Sequence, residues 1–332
     1  MTTSDYLNQL EQDREDLIDN LETQGITGLS GDETFTELVP EVLNIQSGGD
    51  ISDYFNTELT TNTMETNGNT IFSKLIKRLP NITIGSGVTS LSAAFEQFKG
   101  TQLPTITGIG NITNFERTFS YCSNMTSFPL IDTSSGTNFS SMFSNCISLT
   151  SVPKINTSSG TNFSSMFSGC DAITTIPLID TSKGTNFSSM FESCDNLTTI
   201  PQLDTSSCNN FYNVFKSCVK LETVPELNMS NAARIDSVFN NATRLKDFGG
   251  FTNLGQSYLT SRAANYSQYT LSLSNSSQIT YASLMNVINK LYDIATSGCN
   301  TQKLVLGSTN LAKLDATDIA IATNKGWTVS AS

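Results

Sequence analysis

The chain has 332 residues, a net charge of −12, 37% hydrophobic residues and no histidine. Without an imidazole there is no Ser-His-Asp or Cys-His site and no histidine ligand for zinc; no apolar run reaches the roughly 18 residues of a membrane-spanning helix. The charge sits at one end: residues 1–60 carry −13 and residues 61–332 carry +1, so no basic face is offered to nucleic acid.

The chain opens on "MTTSDYLNQLEQDRED", which has neither the basic start nor the apolar stretch of a secretory signal. Leu7, Leu10, Arg14, Leu17 and Leu21 step by 3, 4, 3 and 4, the spacing of a heptad seam. This candidate attachment and oligomer seam is too short to be stable alone and too short to choose between a dimer and a trimer. The acidity around it reads either as a solvated helix face or as a plug for a basic socket on a partner. A second helix is expected near 32–43, opened by the capping box Ser30 and Glu33 and kinked at Pro40. Residues 1–49 thus form a helical attachment segment. Residues 50–86 form a linker and an N-terminal cap, with a helix carrying Phe72, Leu75, Ile76 and Leu79 and a strand at "NITIGSGV".

From residue 87 to 255 the sequence repeats every 24 residues. "GTNFSSMFSNC" begins at Gly136, "GTNFSSMFSGC" at Gly160 and "GTNFSSMFESC" at Gly184. Phe115, Phe139, Phe163, Phe187 and Phe211 fill one column, and Phe119, Phe143, Phe167, Phe191, Phe215 and Phe239 fill a second. Cys122, Cys146, Cys170, Cys194 and Cys218 fill a third, read as stacked free thiols because no Cys-x-x-Cys pair occurs. Cys208 and Cys299 stand off that column without an evident role. Within a unit, Phe139, Met142, Phe143 and Cys146 follow the stripe of a short helix capped by Thr137 or Asn138. "ISLTSVPKINTSS" follows as an extended segment with Leu149, Val152 and Ile155 inward. Neither piece buries its stripe alone, so neighbouring units must stack.

Two polar columns accompany the core. Asn114, Asn138, Asn162, Asn186 and Asn210 include Asn-x-Ser/Thr triplets, but their place beside the core phenylalanines favours a cap or ladder of amides over glycosylation. Asp132, Asp180 and Asp204 share a column with Asn156 and Asn228, which marks them as turn acceptors rather than a catalytic carboxylate pair. The position after the repeat proline varies as Leu130, Lys154, Leu178, Gln202 and Glu226, while the proline before it is constant and the residue after it stays Ile or Leu. A variable column on a constant scaffold is a candidate ligand-contact surface. No metal site, no cofactor and no enzymatic activity are expected.

Residues 256–332 read as an α/β cap: a strand at "QYTLSLS" and a helix at "YASLMNVINKLYDIA" with Leu284, Val287, Ile288, Leu291 and Ile294 inward. A strand at "QKLVLG", one helix over "TNLAKLDATDIAIATNKG" and a strand at "WTVS" complete it.

The units "MFSNCISLTSVP", "MFSGCDAITTIP", "MFESCDNLTTIP" and "VFKSCVKLETVP" resemble leucine-rich repeats of the BspA type. The first unit departs, with Pro104 six residues after Phe98, and the last loses both cysteine and proline. Together with "ITGLSGDETFTELVPEVLNI" and "LMNVINKLYDIATSG", the chain resembles structural proteins of tailed phages of gut bacteria. The resemblance implies an α/β repeat solenoid, leucine-rich-repeat-like, carried as a head or tail fibre, spike or decoration component of a virion. It also implies attachment to other virion proteins through residues 1–49, homo-oligomerisation, and contact of the repeats with a host surface or mucosal glycan. A bacterial surface adhesin and a purely structural decoration protein are the alternatives.

Overall fold

The computed structural model describes residues 82–296, apart from Pro104, Pro153, Gly255 and 257–269, and residues 301–332. The seam Leu7, Leu10, Arg14, Leu17 and Leu21, with all of segment 1–49, lies outside the described residues, as do the helix expected around Phe72 and Cys299.

Between residues 82 and 254 the chain forms a repeat fold of 24-residue coils stacked in parallel. One column of parallel bridges runs through Ser90, Asn114, Asn138, Asn162, Asn186, Asn210 and Arg234. The turn segment after each bridge uses its amides in alternation. The N–H groups of Phe139, Ser141, Phe143 and Asn145 donate forward to the carbonyls of Asn162, Ser164, Met166 and Ser168 in the next coil, at 2.7–3.0 Å. Those of Met142, Ser144 and Cys146 donate within the coil to Phe139, Ser141 and Phe143, at 3.0–3.2 Å. Buried amides are satisfied in this way without helix or continuous sheet.

This corrects the expected helix in each unit: no α-helix occurs among the described residues of 82–254. Two columns of residues adopt left-handed φ, Arg117, Ser141, Ser165, Ser189, Asn213 and Ser237 in one, and Tyr121, Asn145, Gly169, Ser193, Ser217 and Asn241 in the other. Phe139, Met142, Phe143 and Cys146 therefore face inward through overlapping turns of period four, which an amphipathic helix of period 3.6 imitates over so short a stretch. The extended half of each coil also pairs sparingly. Among the described residues, Thr223–Val224 (β3), Leu227–Asn228 (β4), Asp247–Phe248 (β5) and Phe251–Thr252 (β6) form two-residue strands at the last coils, β3 with β5 and β4 with β6. Ile82–Thr83 (β1) and Ile106–Thr107 (β2) do so at the first.

The core is a set of side-chain columns. Rings of the second phenylalanine column, from Phe95 to Phe239, follow one another at 5.5–5.9 Å and lie within 23° of parallel. Each such contact contributes about 0.5–1.5 kcal/mol beyond the burial of the ring. In the first column Phe115, Phe139 and Phe163 stack, whereas Phe187 sits edge-on to Phe163 and Phe211, at 74° and 79°. Glycine opens each repeated unit because the phenylalanine three residues later lies over it: a Cβ on Gly160 would come 2.5 Å from the Phe163 ring. Cys208 occupies this glycine column one coil later, and so gains the role the sequence did not give it; its buried thiol lies 3.4 Å from the carbonyls of Thr185 and Asn210.

The thiol column is buried and free of disulfides. Each thiol donates to a phenylalanine carbonyl of the preceding coil: Cys146 to Phe119, Cys170 to Phe143 and Cys194 to Phe167, each at 3.1 Å. Burial pushes Cys170 and Cys218 up to about 12 and Cys194 well above the ordinary thiol range.

The C-terminal part is α/β, as expected. Thr270–Ser272 (β7), Gln302–Val305 (β8) and Trp327–Ser330 (β9) form a parallel sheet in the order β7-β8-β9. The helix Tyr281–Lys290 (α1) begins at Thr280, whose side chain accepts the Ser283 N–H, and Leu284, Val287, Ile288, Leu291 and Ile294 are all buried. The single helix expected after β8 is two, Gly307–Leu311 (α2) and Ala316–Asn324 (α3). Asp315 makes the break: its carboxylate accepts the N–H groups of Thr317 and Asp318, and Asp318 returns the capping box. The cap is tied to the last coil through Ser276 to the Ala242 carbonyl at 2.8 Å and the Phe248 N–H to Ser283 at 2.9 Å.

Two outcomes follow from this backbone. Ser165→Gly, at φ +54, raises stability by about 0.5–1 kcal/mol in urea unfolding, since glycine carries no Cβ penalty there. Gly169→Ala lowers it by about 1–2 kcal/mol, because φ is +70 and the new Cβ lies 2.6 Å from the Asn145 Oδ1. The thiols predict a pH dependence of defined sign. Their folded values are raised, so the unfolded chain loses protons first. Stability is full below the ordinary thiol value of about 8.5 and falls as pH climbs toward 12, in equilibrium unfolding between pH 8 and 11.

Candidate contact surface

The extended half of each coil alternates sides. Ile131, Ile155 and Ile179 are buried, and the residues just before them, Leu130, Lys154 and Leu178, are exposed. Two threonine ladders hold the register of this row. On one flank the hydroxyls of Thr150 and Thr198 donate to the carbonyls of Thr126 and Thr174 in the preceding coil, at 3.1 and 3.3 Å. On the other flank the buried hydroxyls of Thr133, Thr157, Thr181 and Thr205 donate to Asn156, Asp180, Asp204 and Asn228 in the following coil, at 2.7–2.8 Å. Leu130, Lys154, Leu178, Gln202 and Glu226 therefore occupy one exposed row on successive coils.

The row is not uniform. Leu130 and Leu178 are 73% and 66% exposed, the largest values among the exposed large hydrophobics of the described residues, with Lys154 on the coil between them. Gln202 donates to the Glu226 carbonyl at 2.7 Å and is part of the stack's own bonding. Glu226 is engaged by the C-terminal cap: its carboxylate pairs with Lys290 of α1 and accepts the hydroxyl of Thr252, and Lys290 also reaches the Gly249 carbonyl at 2.7 Å. The hydrogen bond from Lys290 holds the Glu226 carboxyl below its ordinary range. The cap thus occupies one end of the row and leaves Leu130, Lys154 and Leu178 as its open part.

The acidic column behaves as turn chemistry requires. Asp132, Asp180 and Asp204 accept the N–H of Ser134, Ser182 and Ser206 at 3.0 Å, as Asn156 and Asn228 do for Ser158 and Ser230. The serine hydroxyls that bond Asp132 and Asp180 hold both carboxyls below the ordinary range. The asparagine column does the same at the entry to the turns: Asn138, Asn162 and Asn186 accept the N–H of Ser140, Ser164 and Ser188 at 3.1 Å. Asn138 is thus the expected cap, although of a turn rather than of a helix.

A second face was not singled out by the sequence reasoning. Ser141, Ser165 and Ser189 lie half-exposed on three successive coils, with Ser164 and Ser188 beside them. The exposed Thr137, Thr161 and Thr185 run alongside, each hydroxyl bonded to the carbonyl of the threonine one coil back at 3.1–3.2 Å. Ion pairs close both ends: Arg117 with the buried Glu96, and Lys216 with Glu192 at 2.8 Å. The signal lay in the identity of "GTNFSSMF" in three units at exposed as well as buried positions.

Among the described residues no group of three or more Cys, Asp or Glu side chains could hold a metal ion. The candidate site is a row on the outer side of coils stacked in register, and such stacking defines a tandem-repeat protein. The chain belongs to the family described as "Mycoplasma protein of unknown function, DUF285", whose model matches it over residues 89–199 and again over 171–280. Its repeats are of the BspA type. The chain is also similar, at 19% identity and a TM-score of 0.33, to a leucine-rich cell surface protein from Faecalibacterium prausnitzii A2-165. That likeness covers 57% of this chain and 64% of the other protein. No curated protein matches the chain.

The Glu226–Lys290 contact predicts a local effect rather than a global one. Both side chains are partly exposed, so Glu226→Gln lowers overall stability by less than about 1 kcal/mol. It raises amide exchange in α1 relative to the central coils, which hydrogen exchange read by mass spectrometry resolves.

Proposed function

We propose that the chain is a non-enzymatic contact protein in which the stack serves as an open, leucine-rich-repeat-like solenoid displayed toward another surface. The observation that carries this reading is the row Leu130, Lys154 and Leu178: two leucines about two-thirds exposed or more, flanking a cation, each set between a constant proline and a buried isoleucine. A row that alternates apolar and cationic side chains at coil spacing suits a host-cell surface, where apolar and anionic groups occur together. Asp132, Asp180 and Asp204 are taken up by turn hydrogen bonds, which supports a binding role over a catalytic one for that column.

The finer form of the proposal places the chain on a tailed-phage particle. Residues 1–49 would attach to other virion proteins, and the seam Leu7, Leu10, Arg14, Leu17 and Leu21 would join copies as a dimer or trimer. It rests on the acidity of residues 1–60, set against a near-neutral remainder, and on the resemblance to phage structural proteins, which covers nearly the full length. The same row would serve an adhesin on a bacterial cell. Labelling particles and cell envelopes with an antibody to the repeats separates the two.

Leu130→Ser with Leu178→Ser tests the contact itself. The pair removes exposed apolar surface only, so the urea midpoint stays within about 0.5 kcal/mol of the parent. Adsorption to purified envelopes of the host falls at least about tenfold. Unchanged adsorption by the folded variant would leave the stack with a purely structural role.

A further inference from the structure

The row of forward-donating amides comes to an end. In every coil from Leu91–Gln97 to Phe211–Ser217, alternate N–H groups are taken by carbonyls of the coil that follows. In the final coil the N–H groups of Ile235, Ser237, Phe239 and Asn241 hold the same positions and bond to no described residue. The turn keeps the shape of those before it, with φ +58 at Ser237 and +61 at Asn241. Its cover is different. Asn213, followed by the final coil, is 5% exposed, whereas Ser237, its counterpart one coil on, is exposed.

The C-terminal cap leaves this end open. Beside it lies a groove of about 250 Å³, walled on one side by Asp236, Ser237 and Asn240 and on the other by Thr270, Ser272 and Asn275. Thr270 and Ser272 belong to β7, the edge of its sheet, which pairs with β8 alone. An edge strand carries unpaired N–H and C=O groups along one side. Both walls thus offer backbone hydrogen bonding, and among the described residues no hydrogen bond crosses between them. The Asp236 carboxylate is paired with Arg234 at 2.9 Å. The other walls are hydroxyls and amides, so the groove is polar without an unanswered charge.

We infer that this end of the stack binds a short polypeptide segment of another protein, which adds its backbone to the final coil as one further coil would. The groove continues the coil–coil interface, and that interface defines the occupant. Within the stack the amides of Phe211, Asn213, Phe215 and Ser217 are answered by carbonyls two residues apart, those of Arg234, Asp236, Val238 and Asn240. A polypeptide supplies carbonyls at that spacing, and addition to an open edge draws its affinity from main-chain bonds. Small uncharged side chains suit the groove, since the Phe239 ring, which a further coil would cover, is already packed against Phe248 and Phe251. Each main-chain bond is exchanged with water and contributes little, so binding is weak and reversible. The site shares no residue with the open Leu130, Lys154 and Leu178 row, so either can fail without the other.

The test uses the isotope-labelled full chain and two acetylated, amidated peptides. Asn-Ala-Ser-Gly-Ala-Ala-Ser-Gly copies the acceptor segment that begins at Asn162, with its core side chains cut to alanine and Ser165 to glycine. Thr-Ser-Thr-Ser-Thr-Ser is its extended counterpart. At least one of them shifts the amide resonances of Ser237, Phe239 and Asn241 saturably and slows their exchange at least about tenfold, leaving Phe163 and Ser165 unmoved. Asn240→Trp and Ser272→Trp fill the groove from opposite walls; each keeps the urea midpoint and weakens peptide binding at least about tenfold. The inference is overturned if neither peptide binds saturably, or if either folded tryptophan variant binds as the parent does. It is equally overturned if the three amides are already protected in the free chain, because the chain then answers its own row. Protection that rises with protein concentration alone also overturns it, since the end is then a contact between copies.

Discussion

The forward hydrogen bond from every second turn amide to the next coil is the constraint on which the molecule depends. A single coil leaves the N–H groups of residues such as Phe163, Ser165, Phe167 and Gly169 without acceptors and one side of each phenylalanine ring bare. Both needs are met by the same neighbour at the same spacing. The coil is therefore a unit of sequence but not of stability, and cooperativity in the stack passes between nearest neighbours. The thiol column shares the arrangement. A small, weakly donating side chain fits beneath the rings and reaches a carbonyl of the coil before it, where a larger group would force the coils apart.

A scaffold of this kind separates the residues that hold it from those that face outward. Phenylalanine, cysteine, glycine and asparagine positions are fixed by the turns and rings. The outward row at Leu130, Lys154 and Leu178 is under no such demand and varies. The serine face differs again, being outward and yet constant through three coils. Where the stack ends, the cap takes over surface that the coils leave open. Lys290 reaches back to Glu226, and Ser276 and Ser283 bond the last coil. A candidate column read from sequence as five equivalent positions is thus divided by the fold into an open part and a part occupied by the chain itself.

Much of this was legible in the sequence. The 24-residue period, the two phenylalanine columns, the buried free thiols and the turn role of the aspartates all follow from residue type at fixed spacing, and so do the strands and the first helix of the C-terminal part. The conformation of the turn was not. Phe139, Met142, Phe143 and Cys146 present the same pattern to a helix of period 3.6 as to turns of period four, and only the left-handed φ at Ser141 and Asn145 separates them. Serine at such a position gives no warning, whereas Gly169 and Asn145 did carry one. Cys208 was opaque for a related reason: its place in the glycine column matters only once the Phe163 ring is seen lying over Gly160. The break at Asp315 could have been read, since Asp315 and Asp318 have the spacing of a capping box, but the apolar pattern on both sides masked it.

Coil-resolved amide hydrogen exchange on the intact chain tests the mutual dependence of the coils most directly. The account predicts that the forward-donating amides of Phe139, Phe163 and Phe187 exchange with one shared free energy of opening, close to that of global unfolding, while the outermost coils open more readily. Independent opening of one central coil, with its neighbours still protected, would contradict it.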